Sequence, residues 1–204
     1  MKPKIISSVI FISFLFFLLA FKTASDSLPI GSSLPKADLK MKDITGSLVT
    51  MKETKKKNGL LVMFSCNTCP YVIRNQQRTK AICKYALTND IGVILINSNE
   101  AQRSYEDSFE AMKNYANDQA YQWNYVVDQD NVVADEFGAR RTPECFLFNK
   151  DLKLTYHGAI DDNPGDEGNV SQTYLKDAMN AILNGKEVTV KESRSVGCSI
   201  KRKG

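Results

Sequence analysis

Histidine is nearly absent from this chain, and so is any second pair of closely spaced cysteines. The 204 residues include five cysteines and one histidine, His157. A structural zinc site needs four cysteine or histidine ligands, which commonly arrive as two close pairs. The sequence therefore argues against zinc and leaves its one close pair, Cys66 and Cys69, for redox chemistry. A copper carrier stays open as an alternative, because both thiolates and a third ligand such as His157 would suit that metal.

A strong excess of charge is also missing. Lysine and arginine number 27 and aspartate and glutamate 23, for a formal net charge of +4. Three of the lysines lie in the first 25 residues, which contain no acid, so the remainder carries +1. A nearly neutral chain has no electrostatic attraction to nucleic acid or to an anionic membrane surface. The basic run 201–203 is expected to be a solvated tail.

The longest apolar run lies at the N-terminus. Lys2 and Lys4 precede an almost uninterrupted apolar stretch, 5–21, and small residues follow as far as Ser25. This order is typical of an export signal, and the run is slightly shorter than the ~20 residues of a membrane span. We therefore predict a signal peptide over residues 1–25, with an uncleaved anchor through 5–21 as the alternative. Residues 26–204 are predicted to form one domain, located in the periplasm or outside the cell.

The segment Cys66-Asn67-Thr68-Cys69 carries the most chemical information. It follows the apolar run 60–64 and precedes a helical stretch that opens at Pro70. Two cysteines at this spacing can close to a disulfide, and a helix N-terminus stabilises negative charge on a sulfur. We predict thiol–disulfide exchange, with Cys66 as the attacking thiolate and Cys69 as the sulfur that resolves the mixed disulfide.

Strands and helices alternate along the rest of the chain. Apolar runs predict strands, and apolar residues at helical spacing predict helices. The predicted strands are 47–50, 59–65, 91–96, 125–127, 146–148 and 153–156, and the predicted helices are 69–87, 105–119, 131–137 and 174–183. The pattern, which ends in a hairpin and a helix, indicates an α/β fold with a central mixed sheet flanked by helices. Segment 26–41 is predicted to be an extended lead-in, and Arg78 to lie on the outer side of the first helix.

Several motifs together point to a known family. A Cys-x-x-Cys at a helix start, combined with Thr142-Pro143 just before a hairpin, resembles the thioredoxin-like superfamily. Within it, segment 128–148 resembles the redoxin branch. The closest resemblance is to peroxiredoxin-like proteins with Cys-Asn-x-Cys-Pro, found here at 66–70, and two further segments carry it: 96–99 and 197–201. The resemblance spans roughly residues 30–201.

The resemblance implies a thioredoxin-like fold and a specific role for the loop at Thr142 and Pro143. In this superfamily the corresponding proline is cis, and its loop pairs with the bound substrate chain opposite the dithiol. The resemblance also implies protein thiols or disulfides as partners, together with an electron donor or acceptor. No metal or organic cofactor is expected, because the disulfide itself carries the electrons.

Two alternatives to the disulfide oxidoreductase remain. The first is a thiol peroxidase, because this loop resembles the Thr-x-x-Cys-Pro loop of peroxiredoxins. Here Cys66 stands in place of that threonine, and Pro143 stands close to the place of the arginine that polarises peroxide, with Arg141 displaced from it. Both departures argue against a peroxidase. The second alternative is a non-enzymatic copper-carrying or redox-sensing protein.

The other three cysteines differ in their surroundings. Cys83, on the apolar face of the first helix, and Cys145, beside a predicted strand, are expected to be buried. Cys198 lies in a polar tail just before the basic run 201–203, and nearby cations lower the pKa of a thiol. If the tail folds back over the active face, Cys198 is a candidate resolving thiol for Cys66.

Overall fold

The computed structural model describes residues 27–203, so the predicted leader lies outside the described residues. The strands are β1 (Met41–Asp43), β2 (Leu48–Val49), β3 (Gly59–Phe64), β4 (Ile91–Asn97), β5 (Asn124–Val127), β6 (Arg141–Thr142), β7 (Glu144–Phe148), β8 (Leu154–Gly158) and β9 (Cys198–Ser199). The α-helices are α1 (Met51–Thr54), α2 (Pro70–Arg74), α3 (Gln76–Thr88), α4 (Phe109–Asp118), α5 (Val132–Phe137) and α6 (Tyr174–Leu183). None of the helices in this part of the chain has the length and apolar character of a membrane span.

Seven strands form one mixed sheet in the order β2-β1-β5-β4-β3-β7-β8. The central strands β3, β4 and β5 run parallel, and β7 runs antiparallel to β3. Every residue of β3 and β4 is buried, as expected of continuous apolar runs in strands that are covered on both faces. The predicted α/β fold with a central mixed sheet is thus confirmed.

Successive side chains of β3 point to opposite faces of the sheet, which divides the core into two layers. Leu61 and Met63 pack with residues of α3, α4 and α6. Leu60, Val62 and Phe64 pack on the other face with residues of α1 and α5. Both layers meet at β3, whose C-terminal end therefore delivers Cys66 from the most rigidly packed part of the molecule.

Cys83 and Cys145 are buried in the first of these layers, as predicted. Burial raises the pKa of both thiols, in Cys145 with added repulsion from nearby acidic groups. Neither sulfur therefore supplies a thiolate at neutral pH.

The predicted first helix is interrupted at Asn75. This residue separates α2 from α3 and has φ −85° and ψ 1°. Its Nδ2 donates to the carbonyl oxygens of Tyr71 at 2.7 Å and Pro164 at 3.3 Å. Helical periodicity continues across this break, so the sequence pattern does not reveal it. Strand β1 begins at Met41, the last residue of the predicted lead-in, and continues to Asp43.

Arg78 is buried, so its predicted place on the outer side of the helix is wrong. Its Nη1 donates to both carboxylate oxygens of Asp161, at 2.8 and 2.7 Å, and to the carbonyl of Asn163 at 2.7 Å. A guanidinium can be buried when it is paired and hydrogen-bonded in this way. The pair fastens α3 to the loop that follows β8.

The C-terminal tail is docked onto the domain. Strand β9 pairs antiparallel with β6 in a separate two-stranded sheet. Ile200 is 6% exposed and packs in the second core layer. The side chains of 201–203 are exposed, as predicted, but the Lys201 carbonyl accepts the N–H of Ala101 at 2.9 Å. The tail is therefore part of the fold and lies beside the Thr142 loop.

Candidate active site

The two cysteines of the close pair lie between the end of β3 and the start of α2. Cys69 is the N-cap residue of α2, and Pro70 is its first residue. Cys66 is 1% exposed and Cys69 4% exposed. All five cysteines lie within the described residues, and each is a free thiol. The structure therefore shows the pair in its reduced form.

Thr142 contacts both sulfurs. Its Oγ1 lies 3.3 Å from Cys66 Sγ, and its carbonyl oxygen accepts a hydrogen bond from Cys69 Sγ at 3.2 Å. The peptide bond between Thr142 and Pro143 is cis, as the resemblance implied. The loop between β6 and β7 and the dithiol, separated by more than 70 residues in sequence, thus form one site.

The two sulfurs differ in acidity. The pKa of Cys69 is lowered to about 4, chiefly because the Cys66 thiol donates to its sulfur, and burial opposes this. The Cys198 thiol and the backbone N–H groups of Val72 and Cys198 contribute in the same direction as Cys66. The pKa of Cys66 is raised by the same contact with Cys69, by burial and by the Asp107 carboxylate. These directions favour a thiolate on Cys69, whereas the helix-end argument from the sequence placed it on Cys66.

A buried carboxylate, Asp107, holds the segment between the cysteines. Its Oδ1 accepts the backbone N–H of Asn67 at 3.0 Å and Asn97 Nδ2 at 2.7 Å. Its Oδ2 accepts Asn99 Nδ2 at 2.8 Å. Asn67 Oδ1 accepts the hydroxyl of Tyr125 at 2.9 Å, which fixes the Asn67 side chain as well. The motif asparagines thus position the cysteine loop.

The sequence did not predict Asp107 or Tyr125 as residues of the site. Asp107 fell inside a segment predicted as helix 105–119, whereas α4 begins only at Phe109. Tyr125 was read only as part of a short strand. Nothing in spacing or periodicity connects either residue to the cysteine pair, although the motif asparagines at 97 and 99 gave a partial signal.

Cys198 lies against the dithiol. It is opposite Thr142 in the β6–β9 pairing, and it packs against a cluster formed by Cys66, Cys69 and Val72. Of the two buried cysteines, Cys69 is the one whose pKa the Cys198 thiol lowers. The tail thus folds over the active face, and the sulfur it reaches first is Cys69.

The copper-carrier alternative receives no support from His157. That residue lies on β8, two strands from β3 in the sheet, and its ring packs on Phe146 at a centroid distance of 5.4 Å. Within residues 27–203, no group of three histidine, cysteine or acidic side chains is arranged to hold a metal ion.

The Arg141 side chain contacts the C-terminal tail. Its Nη1 donates to the carbonyl oxygen of Gly197 at 3.0 Å. The charged side chain that acts on Cys66 is instead the Asp107 carboxylate.

Comparison with known proteins gives one family and several related structures. The family model for Redoxin matches residues 29–174. A crystal structure of an uncharacterized conserved protein from Geobacillus kaustophilus is 32% identical, covers 86% of this chain and 93% of its own, and superposes with a TM-score of 0.80. No curated protein sequence matches the chain.

Two more distant structures share the fold. Peroxidoxin BcpB from Mycobacterium tuberculosis is 13% identical with a TM-score of 0.54, over 76% of this chain and 96% of its own. The thioredoxin domain of a thiol-disulfide oxidoreductase from Bacteroides vulgatus is 19% identical with a TM-score of 0.51, over 63% of this chain and 86% of its own. The fold of the chain is accordingly thioredoxin-like.

Proposed function

Because this chain belongs to the redoxin family, a family of redox enzymes, we propose that it is a thiol–disulfide oxidoreductase that cycles between the Cys66/Cys69 dithiol and its disulfide. One observation carries the proposal: both sulfurs contact the same residue, Thr142, and the thiol of one lowers the pKa of the other. A low pKa makes a thiol both a nucleophile at neutral pH and a good leaving group. Both properties are needed for reversible exchange.

Cys69 is the attacking sulfur in this proposal. Its thiolate attacks one sulfur of a substrate disulfide, which forms a mixed disulfide and releases the other substrate sulfur as a thiolate. Cys66 then loses its proton and attacks Cys69 Sγ, which closes the Cys66–Cys69 bond and releases the second substrate thiol. Two electrons pass from the dithiol to the substrate, and the reverse sequence oxidises a substrate dithiol. Cys66 is suited to the second step because it is the more deeply buried sulfur.

Thr142 and Pro143 are proposed to hold the substrate. The Thr142 carbonyl oxygen lies 3.2 Å from Cys69 Sγ, so a chain bonded to Cys69 would lie beside this backbone. Protein disulfides, with a separate electron donor or acceptor, are the proposed partners.

The leader 1–25 is proposed to export the protein. After cell fractionation, N-terminal sequencing should find the mature chain outside the cytoplasm. A cytoplasmic full-length chain would contradict this.

Reduction of insulin disulfides by the protein, with dithiothreitol as the electron source, tests the proposal. The wild-type protein should reduce insulin, whereas Cys66→Ser and Cys69→Ser should lose multiple turnover, because a single thiol cannot close the disulfide. Cys83→Ala removes a buried cysteine outside the site and should keep activity. Activity that survives in both serine variants would refute the dithiol mechanism.

A thiol peroxidase is the second candidate, and the acidity of Cys69 favours it. Cys69 occupies the cysteine position of the Thr-x-x-Cys-Pro pattern, and a small peroxide can reach a sulfur that is only 4% exposed more easily than a protein can. The Asp107 carboxylate, which raises the pKa of Cys66, is negatively charged and does not help to polarise peroxide. Consumption of hydrogen peroxide at a rate above that of insulin reduction, lost in Cys69→Ser, would favour the peroxidase.

A further inference from the structure

The C-terminal strand covers the loop that the dithiol uses. In the β6–β9 pairing, Cys198 is directly opposite Thr142, and Ser199 is opposite Arg141. Thr142 is also the residue that contacts both buried sulfurs. The chain's own tail therefore occupies the backbone position proposed above for a bound substrate strand, and it presents a cysteine there.

The three sulfurs form a series with Cys69 in the middle. Cys198 packs against the buried cluster of Cys66, Cys69 and Val72, and the thiols of Cys66 and Cys198 both lower the pKa of Cys69. The interactions of the Cys66 sulfur are with Cys69, Thr142 and Asp107. Cys66 and Cys69 are 1% and 4% exposed, whereas Cys198 is partly exposed. The series thus runs from the interior to the surface.

Several contacts keep the tail in this position. A Cβ atom added at Gly197 would lie 2.1 Å from the carbonyl oxygen of Thr142, so glycine alone permits the close approach. On the other side of Cys198, Ile200 is buried in the core and its N–H donates to the Arg140 carbonyl at 3.0 Å. The Lys201 N–H donates to Asn99 Oδ1 at 2.9 Å. Because Asn99 also bonds to Asp107, the tail and the cysteine loop share one hydrogen-bond network.

We infer that Cys198 is a third redox thiol, which carries the disulfide bond of the buried pair outward to the protein surface. This inference rests on the proposed dithiol function and specifies how partners reach it. In the oxidised protein, the Cys198 thiolate attacks Cys69 Sγ. The Cys69–Cys198 bond forms, the Cys66–Cys69 bond breaks, and Cys66 leaves as a thiolate that takes up a proton. The step is an internal exchange with no net oxidation.

An external dithiol then completes the cycle at the surface. Its first thiolate attacks Cys198 Sγ, and Cys69 leaves as a thiolate, for which its low pKa suits it. The second thiol of the donor attacks the mixed disulfide, which releases Cys198 as a thiol and the donor as a disulfide. The protein has then gained two electrons and one proton, which is on Cys66, while Cys69 remains a thiolate and the donor's other proton passes to solvent. The partner has met only the partly exposed sulfur.

Oxidation of the pair favours the attack by Cys198. In the reduced protein, burial and then the neighbouring Cys69 sulfur raise the pKa of Cys198 to about 11, against the lowering effect of Lys201. When Cys69 is in a disulfide it carries no negative charge, so this part of the increase is removed. Cys198 is therefore more acidic when there is a disulfide for it to attack.

Two matched variants test the connectivity. Cys66→Ser and Cys69→Ser are each oxidised with diamide and mapped by non-reducing tryptic digestion. We expect Cys66→Ser to link peptide 58–74 to peptide 195–201 through a Cys69–Cys198 bond within one chain. We expect Cys69→Ser to lack an intramolecular link, because Cys198 faces residue 69. Two results would overturn the inference. One is a Cys66–Cys198 link in Cys69→Ser with no Cys69–Cys198 link in Cys66→Ser, and the other is a Cys66→Ser protein that forms only intermolecular dimers.

Gly197→Ala tests the role of the docked tail without altering a cysteine. The new methyl group collides with Thr142 and should reduce the Cys69–Cys198 cross-link in the Cys66→Ser background. Gly165→Ala is the control, since a Cβ there has a nearest contact of 3.7 Å. Equal cross-linking in both glycine variants would contradict the proposed docking.

Failure of the inference and failure of the dithiol function give different results. In Cys198→Ser, the Cys66–Cys69 disulfide should still form, and dithiothreitol should still reduce it, while reduction by a protein dithiol such as thioredoxin should slow. Unchanged reduction by both donors would overturn the relay alone. If Cys66 and Cys69 do not form a disulfide in the wild-type protein, the dithiol function itself is wrong.

Discussion

At Cys69, hydrogen bonding outweighs burial. Taking a thiolate out of water raises its pKa, but a thiol on either side can donate to this sulfur. In its protonated form the sulfur gives its hydrogen to the Thr142 carbonyl, and this bond is lost on ionisation. The thiolate is nevertheless favoured, because the hydrogen bond from the Cys66 thiol is the largest effect on the pKa of Cys69. Cys66 has the opposite surroundings, with the Asp107 carboxylate on its inner side.

Replacing the Cys66 donor should shift the acidity of Cys69. We expect the pKa of Cys69 to rise from about 4 toward its ordinary value of 9.0 in Cys66→Ala, because the largest lowering effect is removed. The measurement is thiolate absorbance at 240 nm as a function of pH. Cys83→Ala serves as the control and should keep the low transition. A wild-type protein without any thiolate below pH 6 would contradict the assignment.

His157 should make the fold sensitive to mild acid. Burial lowers the pKa of His157 below its ordinary value of 6.5, against the effect of Glu144 and Glu192. The unfolded chain therefore binds a proton at a higher pH than the folded chain does, so stability falls as pH drops through 6.5. Because the chain has one histidine, the loss between pH 7 and pH 5.5 should be smaller in His157→Gln. Thermal unfolding at several pH values measures it, and parallel curves for the two proteins would contradict this origin.

Among the elements, the tail strand β9 has the largest consequence for the site. Its two residues make few backbone contacts alone, and the strand is held by Gly197 before it and Ile200 after it. The break at Asn75 affects the helix that follows the cysteine pair. It separates the five residues of α2 from α3, so that the segment carrying Cys69 is a short helix of its own.

Ile200→Ala should loosen the tail and destabilise the domain. Removing a buried isoleucine side chain costs about 2–5 kcal/mol in free energy of unfolding, and Ile200 is 6% exposed. Chemical denaturation measures the change. Ile73→Ala is the matched control, since Ile73 is 54% exposed and should change stability little. Equal midpoints for the two variants would show that Ile200 does not anchor the tail.

At the scale of the whole molecule, long apolar runs were sufficient to predict the sheet. Strands β3 and β4 are buried on both faces, and a continuous apolar run is typical of a strand in that position. The meeting of the cysteine pair with Thr142 and Pro143 was predicted from family resemblance, because no local pattern links residues so far apart. Arg78 was misplaced because its partner, Asp161, lies 83 positions away. For the same reason Asp107, which holds the cysteine loop, had no signal in its own segment.

The order of the sulfurs also depends on long-range packing. Spacing alone makes Cys66 and Cys69 equivalent members of a pair, and the helix-end argument favoured Cys66. The hydrogen bond between the two sulfurs contributes most to their difference in acidity, and Asp107 at Cys66 and Cys198 at Cys69, both from distant parts of the chain, add to it. Two cysteines at close spacing therefore predict the chemistry of the site but not which sulfur attacks.

A redox titration with disulfide mapping tests the central claim most directly. The reduced protein is equilibrated with mixtures of reduced and oxidised dithiothreitol, quenched with acid, alkylated and digested with trypsin. Cys66 and Cys69 lie in the same tryptic peptide, 58–74, which should become lighter by two hydrogens in a single reversible two-electron transition. In part of the oxidised population, the same peptide should be joined to peptide 195–201. If peptide 58–74 instead keeps two alkylated thiols at every potential, or gains oxygen on one sulfur without forming a disulfide, the protein is not a dithiol oxidoreductase.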